Sequence, residues 1–471
     1  AGIIGSWSLP FCPWHRLVLL LPPLLLLFST LSKDPVNCCS HAIHTMPKLL
    51  SPRLYRVMGI VSLIMAGEAI FSLPFHVVRF FRPTMLEVFQ VSNLQIGQVQ
   101  ATYGIVAMLS YFLGGPLADR FEARNLLIVA LFATGMGGFY FAEIPDLQGL
   151  YYLYAFWGCS TILLFWGALI KATREWGGVK QQGKAFGFLE AGRGLFAAIL
   201  VSLAIAILSF ALPGDLANLV SGERRQAMQD IIYLYVGATL IAGVFVALFI
   251  PIQAGVETSA PSAFILRRGL SKVLSNPLIW PQMLIVMSAY VAYKGVDYYV
   301  LYATQGFGLT EIEGATIGGL SSWIRPIAAV MAGFLADRYR PSKVVIASFG
   351  LLVIGYFLLT FMTPEPGLYW VLVTNVVITS FAVYALHAIY FALVAESKIP
   401  IAVTGTAIGV ISVIGFTPDI FVAPGMGWLL DNNTSIVGHQ KVFSALGAFA
   451  IIGFLSSGFF IRRFSRVAAA G

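Results

Sequence analysis

Gly115-Pro-Leu-Ala-Asp119-Arg120-Phe121 and Gly333-Phe-Leu-Ala-Asp337-Arg338-Tyr339 stand 218 positions apart and read as one heptad, Gly-x-Leu-Ala-Asp-Arg-aromatic. Each copy closes an apolar run at a charged loop. A heptad repeated at corresponding points of two halves marks a duplicated membrane bundle, and such bundles usually keep their working site between the halves. The repeat predicts a transporter architecture.

The rest of the chain agrees with that reading. Of 471 residues, 58% are hydrophobic, 14% aromatic and 11% charged, with a mean hydropathy of +0.84, which leaves too little polar surface for a soluble protein. A bilayer span takes roughly 20 apolar residues. Such runs lie near 57–80, 99–118, 125–142, 150–172, 184–212, 231–253, 278–304, 314–335, 343–363, 367–394, 402–430 and 442–462. The expected fold is therefore an all-α membrane protein of twelve transmembrane helices, arranged as two pseudo-symmetric six-helix bundles whose solvent is the lipid bilayer.

The net charge of +8 is a topology signal. Lys48, Arg53 and Arg56 precede span one; Arg120 and Arg124 follow span two; Arg174, Lys180 and Lys184 follow span four. Arg267, Arg268 and Lys272 fill the middle connection, Arg338, Arg340 and Lys343 follow span eight, and Arg462, Arg463 and Arg466 end the chain. The alternate connections carry Glu143, Asp146, Glu311, Glu313, Glu365 and Asp431. Basic loops stay cytoplasmic, so both termini are expected inside and the span count even. Short extramembrane loops suit a bacterial inner (plasma) membrane. The charge is used up in orientation, and nucleic acid is not an expected partner.

Residues 1–45 stand apart: Arg16 and the apolar stretch Leu17 to Leu31, broken by Pro22-Pro23, look like a signal-peptide core or a non-native extension. The expected organisation is a leader at 1–45, an N-terminal bundle at 46–253, a cytoplasmic linker at 254–277 and a C-terminal bundle at 278–471. Cys38, Cys39, His41 and His44 are the one metal-like cluster, but adjacent cysteines do not take finger spacing, and neither metal nor cofactor is expected. No serine elbow or metal-spaced His/Asp/Glu set lies in the spans, so enzyme activity is not expected.

A glycine near a span end lets a neighbouring backbone come close, and an Asp just beyond it can accept hydrogen bonds from that neighbour's first amides. Gly115, Asp119 and Arg120, with Gly333, Asp337 and Arg338, are thus read as a latch made in one conformation and broken in another. Gly-x-x-x-Asp-Arg after the second and eighth of twelve spans, followed by Arg124 and Lys343, resembles the signature loop of the major facilitator superfamily. The glycine usual after Asp-Arg-x is here Glu122 in one copy and Arg340 in the other. The resemblance covers residues 50–466 and implies two rocking halves about a central cavity, working as a monomer. Gly183-x-x-x-Gly187 and Gly405-x-x-x-Gly409, opening spans five and eleven, echo the duplication and are read as tight helix crossings.

Ionisable residues inside spans mark the solute path. Arg79 in span one lies 40 residues before Asp119 and Lys294 in span seven 43 before Asp337, so each half offers a cation from its first helix. Opposed cations at a two-fold interface suit a phosphate, carboxylate or sulfonate. The pair, with Phe75-His76-Val-Val-Arg79 and Tyr293-Lys294-Gly295, resembles the organophosphate/phosphate antiporter branch, apart from Lys294 in place of arginine and Asp297 close by. The expected solute is a small organic anion such as a sugar phosphate or sugar acid, with protons or inorganic phosphate as coupling ion. Candidate solute contacts are Arg79, Lys294, His76, Tyr293, Tyr298, Trp166 and Arg325; candidate proton carriers are Glu68 and Asp297. Glu190 with Arg193, and Lys294 with Asp297, are spaced to pair along one helix face. The competing readings are a proton-coupled symporter of a neutral sugar, with Glu68 as carrier, and a non-transporting membrane sensor.

Overall fold

The computed structural model describes residues 51–178, 181–211, 221–251, 273–397 and 404–469. The leader at 1–45, its Cys/His cluster and most of the 254–277 linker lie outside them. Residues Arg56–Gly471 form one compact unit.

Among the described residues ten helices are long and apolar enough to cross a bilayer. Two more complete the expected twelve. One is Asn93–Arg120, made more polar by Gln95, Gln98 and Gln100; the other is a helix broken into Ile279–Gly295, a tight turn Val296–Tyr298, and Tyr299–Phe307. In chain order, span one is Pro52–Phe80, two Asn93–Arg120, three Ala123–Ala142, four Leu147–Gly177, five Gln182–Ala211 and six Ser221–Phe249. Span seven is 279–307, eight Glu311–Tyr339, nine Pro341–Phe361 and ten Tyr369–Ala392. Span eleven is Thr404–Gly415 continued by Pro418–Asp431, and twelve is Ser435–Ala469. Span six starts about ten residues before its apolar stretch, because Arg224, Arg225 and Gln226 extend the helix beyond the apolar run.

Buried apolar side chains form two cores. One is built mainly on spans one to six, from Leu73 to Val236, the other mainly on spans seven to twelve, from Val273 to Phe460. The halves meet chiefly where span two packs on eleven and span five on eight.

The repeat runs deeper than the heptad. Span two starts with a capping box, Ser92 Oγ accepting from the Gln95 amide (3.3 Å) and Gln95 Oε1 from the Ser92 amide (2.8 Å). Span eight starts with the same device 218 residues later: Thr310 Oγ1 accepts from the Glu313 amide (3.2 Å) and Glu313 Oε2 from the Thr310 amide (2.9 Å). Each box satisfies amides that a helix start leaves unpaired.

At this capping-box end the halves are locked together. Asp431, closing span eleven, accepts from the backbone amides of Asn93 (3.2 Å) and Leu94 (2.7 Å) and from Asn93 Nδ2 (3.1 Å). Arg224 pairs with Glu87 and Glu311 (3.5 Å to the latter), and Thr84 donates to Glu311. Spans two and eleven run backbone to backbone: a Cβ on Gly97 would stand 2.6 Å from Pro424 Cα, and one on Gly427 2.7 Å from the Leu94 nitrogen. At the heptad end the same four helices come apart. A Cβ on Gly115, Gly187, Gly333 or Gly409 would meet nothing within 4 Å. Gly187 and Gly409 thus do not make the close crossings expected from their Gly-x-x-x-Gly motifs, because the helices they belong to are separated here.

In the second heptad the expected latch contact is not made among the described residues. Asp337, Arg338 and Arg120 are exposed, and Asp337 has no hydrogen-bond or ion-pair partner among the described residues; the Asp119 side chain lies outside them. Arg340, where a glycine was the expected residue, has φ 82° and ψ 139°, a backbone conformation that costs a side-chain-bearing residue about 1–3 kcal/mol.

Two outcomes follow. Arg340→Gly removes that strain and raises the thermal midpoint of the purified protein, whereas Arg340→Ala gives no such gain; a lower midpoint for the glycine variant would count against the strained turn. Gly97→Val forces spans two and eleven apart at the capping-box end. With the natural cysteines replaced, a cysteine at Ile312, which packs on the opposite half's core, should then react several-fold faster with an impermeant maleimide. Unchanged labelling would show that the close approach does not hold this end shut.

Candidate functional site

The first helix of each half loses its regular turn near its middle, about one turn apart in the repeat. Ser72–His76 in span one is a widened turn containing Pro74, and the Pro74 carbonyl accepts from Tyr154 Oη at 3.0 Å. Span seven tightens at Val296–Tyr298. By the 218-residue register Phe75 answers to Tyr293, His76 to Lys294 and Arg79 to Asp297.

Arg79 and Asp297 pair directly, Nε to Oδ1, with both side chains about 5% exposed. By that offset they are equivalent positions of the two halves. The guanidinium also donates from Nη1 to Tyr293 Oη (3.3 Å) and lies over that ring at 4.7 Å. The expected pair along span seven, Lys294 with Asp297, does not form, because each residue has a better partner on another helix. Lys294 Nζ is 2.6 Å from Asp419 Oδ1 of span eleven, and Tyr290 Oη donates to both Asp419 oxygens (3.1 and 3.0 Å). Lys294 also sits 4.5 Å from the Phe75 ring centre, so the cation of one half rests on an aromatic of the other.

A second cluster surrounds Glu68 of span one. Arg325 Nη1 reaches Oε1 at 2.8 Å, Arg193 Nε reaches Oε2 at 3.2 Å, and His76 Nε2 lies 3.3 Å from Oε1. Arg193 Nη1 pairs with Glu190 at 2.8 Å, as their spacing predicted, and Arg325 stands 4.0 Å from the same carboxylate. The Glu68–Arg325 pair joins the halves, as Arg79–Asp297 does.

Aromatic rings connect the clusters. Tyr293 contacts Tyr290, Tyr384 and His387, with ring centres 5.7, 6.3 and 5.1 Å apart, and Arg325 lies 5.9 Å from the Tyr384 ring. Phe71 links Trp166 to Arg193, which stands 6.0 Å from the Trp166 ring. Arg79, Lys294, His76, Tyr293, Trp166 and Arg325, with Glu68 and Asp297, are thus brought into one buried neighbourhood. Tyr298 is set apart: only 1% exposed, it lies under the Arg82 guanidinium (4.9 Å), whose Nε donates to Asn93 Oδ1 (2.9 Å).

Sequence reasoning gave Asp419 no role and read Asp431 as a loop acid. For Asp419 the available signal was its place as the acid in a span that otherwise has no ionisable group before its end. For Asp431 there was none, since a carboxylate at a span end reads as a polar stop until its neighbour is known. The arrangement can exchange ion-pair partners. Four cations (Arg79, Arg193, Lys294, Arg325) face four carboxylates (Glu68, Glu190, Asp297, Asp419), a formally neutral set in which an arriving charged solute must compete with an internal counter-ion.

Comparison with known proteins identifies the family. Inner membrane protein YihN of Escherichia coli (strain K12) is 26% identical over 414 residues, covering 86% of this chain and 95% of that protein. Probable nitrate/nitrite antiporter NarK1 of Thermus thermophilus is 24% identical over 283 residues, covering 59% of this chain and 60% of its own. Among solved structures, a bacterial homolog to the human lysosomal transporter Spinster, inward-facing and unoccupied, superposes with a TM-score of 0.67 at 13% identity, over 88% of this chain and 99% of its own. The model of the Major Facilitator Superfamily matches residues 58–423. With twelve spans in two bundles, a duplicated signature loop and ion pairs joining the halves at their centre, the chain belongs to the Major Facilitator Superfamily of membrane transporters.

Proposed function

We propose that this protein moves a small organic anion, such as a sugar phosphate or sugar acid, by alternating access, with Arg79 and Lys294 as its anchors. The observation that carries the reading is their placement. One buried cation comes from each half, and both lie against the same aromatic group of Phe75, Tyr290 and Tyr293. A guanidinium offers two-point contact to an oxyanion and an ammonium adds a point charge. The relative NarK1, named for nitrate and nitrite, supports an anionic solute. Arg325 and His76 line the same neighbourhood, and protons or inorganic phosphate fit it as coupling ions.

The basic loops put the heptad end and both termini in the cytoplasm of the inner membrane, so the open end faces inward. The moving bodies are 46–253 and 278–471, joined by 254–277. One chain holds both halves of the site, which suits a monomer. The neutral-sugar alternative relied on Glu68 as proton carrier; here Arg193, Arg325 and His76 compete with a proton for its two oxygens.

A thermal-shift screen of the purified protein against sugar phosphates, sugar acids, sulfonates and neutral sugars should show stabilisation by charged ligands, because a ligand stabilises the state it binds. Neutral sugars acting alone would overturn the anion reading. Arg79→Gln or Lys294→Gln removes one charge-assisted contact worth about 1.5–3 kcal/mol, so affinity for the stabilising anion should fall about 10–100-fold in each. Asp297→Asn frees Arg79 of its counter-ion and should leave anion affinity the same or higher; a marked loss would show that Asp297 itself holds the solute.

A further inference from the structure

Asp419 of span eleven is the counter-ion that an arriving anion must displace from Lys294 (2.6 Å). We infer that Asp419 takes up one proton as the anion binds, so that anion and proton move together. This rests on the anion reading above and adds to it the coupling ion and its carrier.

Charge balance comes first. The four cations and four carboxylates of the centre already cancel, so an added anion leaves one uncompensated negative charge in a low-dielectric chamber. Such a charge costs several kcal/mol unless neutralised. Binding one proton with each anion restores balance: the anion takes the Lys294 ammonium, and the Asp419 carboxylate becomes a neutral acid.

The surroundings then single out this acid. The titratable groups facing Asp419 are Lys294 and Tyr290 on span seven and Tyr103 and Tyr111 on span two. Phe391 and Phe449 meet the same helix through Phe416 and Phe421 and bring no charge. Once Lys294 turns to the solute, Asp419 keeps only phenol hydroxyls, and Tyr290 can hydrogen-bond the neutral acid. Glu68 in contrast has three basic partners, and losing one leaves two. Asp297 holds only the Nε of Arg79, whose terminal nitrogens can reach a solute without releasing it. Of the carboxylates paired to the proposed anchors, Asp419 is also the more accessible, 13% exposed against 5% for Asp297, while the more exposed Glu190 (39%) keeps Arg193 and Arg325 beside it when Lys294 turns away.

The test uses the full chain in detergent at low buffer strength, with gluconate, isethionate and glucose 6-phosphate as charged probes and glucose as the neutral control. Gluconate and isethionate do not titrate near neutrality, so their binding should be accompanied by uptake of close to one proton each. Their affinity should fall about tenfold per pH unit wherever uptake reaches one. Asp419→Asn should bind the same probe with no proton uptake and no pH dependence. Should that variant not fold, Asp419→Glu must keep the uptake with a displaced pH midpoint, and an unmoved midpoint would overturn the assignment. Binding without proton uptake in the natural protein would overturn the coupling and leave the anion reading standing. Uptake that survives Asp419→Asn but disappears in Asp297→Asn or Glu68→Gln would move the proton elsewhere and overturn this inference. If no charged probe binds, the anion reading falls and the coupling with it.

Discussion

An unpaired charge inside hydrocarbon is so costly that every ionised side chain at the centre of this protein must find a partner, and the choice of partners decides how the halves are held. Arg79–Asp297 and Glu68–Arg325 cross from one bundle to the other, whereas Lys294–Asp419 stays within one. The crossing pairs tie the bundles together, and the internal pair leaves a cation and its counter-ion within one bundle, where the proposed solute would compete for them. One physical rule therefore governs both the contact between the halves and the proposed site.

The closed end works by a related rule. A helix start exposes amides that must be satisfied, and Asp431 satisfies those of Asn93 and Leu94 from across the interface. The heptads were expected to do this at their own end; Asp337 of the second makes no such contact among the described residues. Span two packs on span eleven through Pro418–Asp431, the half nearer the capping box, and a Cβ on Gly115 or Gly409 would meet nothing within 4 Å.

Much of this was legible in the chain. The spans could be read because lipid demands long apolar runs, and the duplication because the heptad keeps its spacing. Arg79, Lys294 and Glu68 could be read as central because a charge in a span needs a reason. Partner choice could not be read. Lys294 and Asp297 have the spacing of a same-face pair, but packing brings Asp419 and Arg79 closer. Equally hidden was the register of the two first helices. Matching cation to cation set Arg79 against Lys294, while the 218-residue offset of the heptads and capping boxes sets Arg79 against Asp297 and His76 against Lys294.

That register bears on how such a molecule can arise. In a symmetric pair of identical subunits, the residue on the axis faces its own copy, so Arg would meet Arg or Asp would meet Asp. Like charges would repel there, in the surroundings least able to screen them. The attraction between Arg79 and Asp297 is open only to halves that carry different residues at one position, which requires that they be encoded separately. A duplicated chain meets that requirement, because its two copies can diverge position by position and so hold a bond that identical subunits could not make.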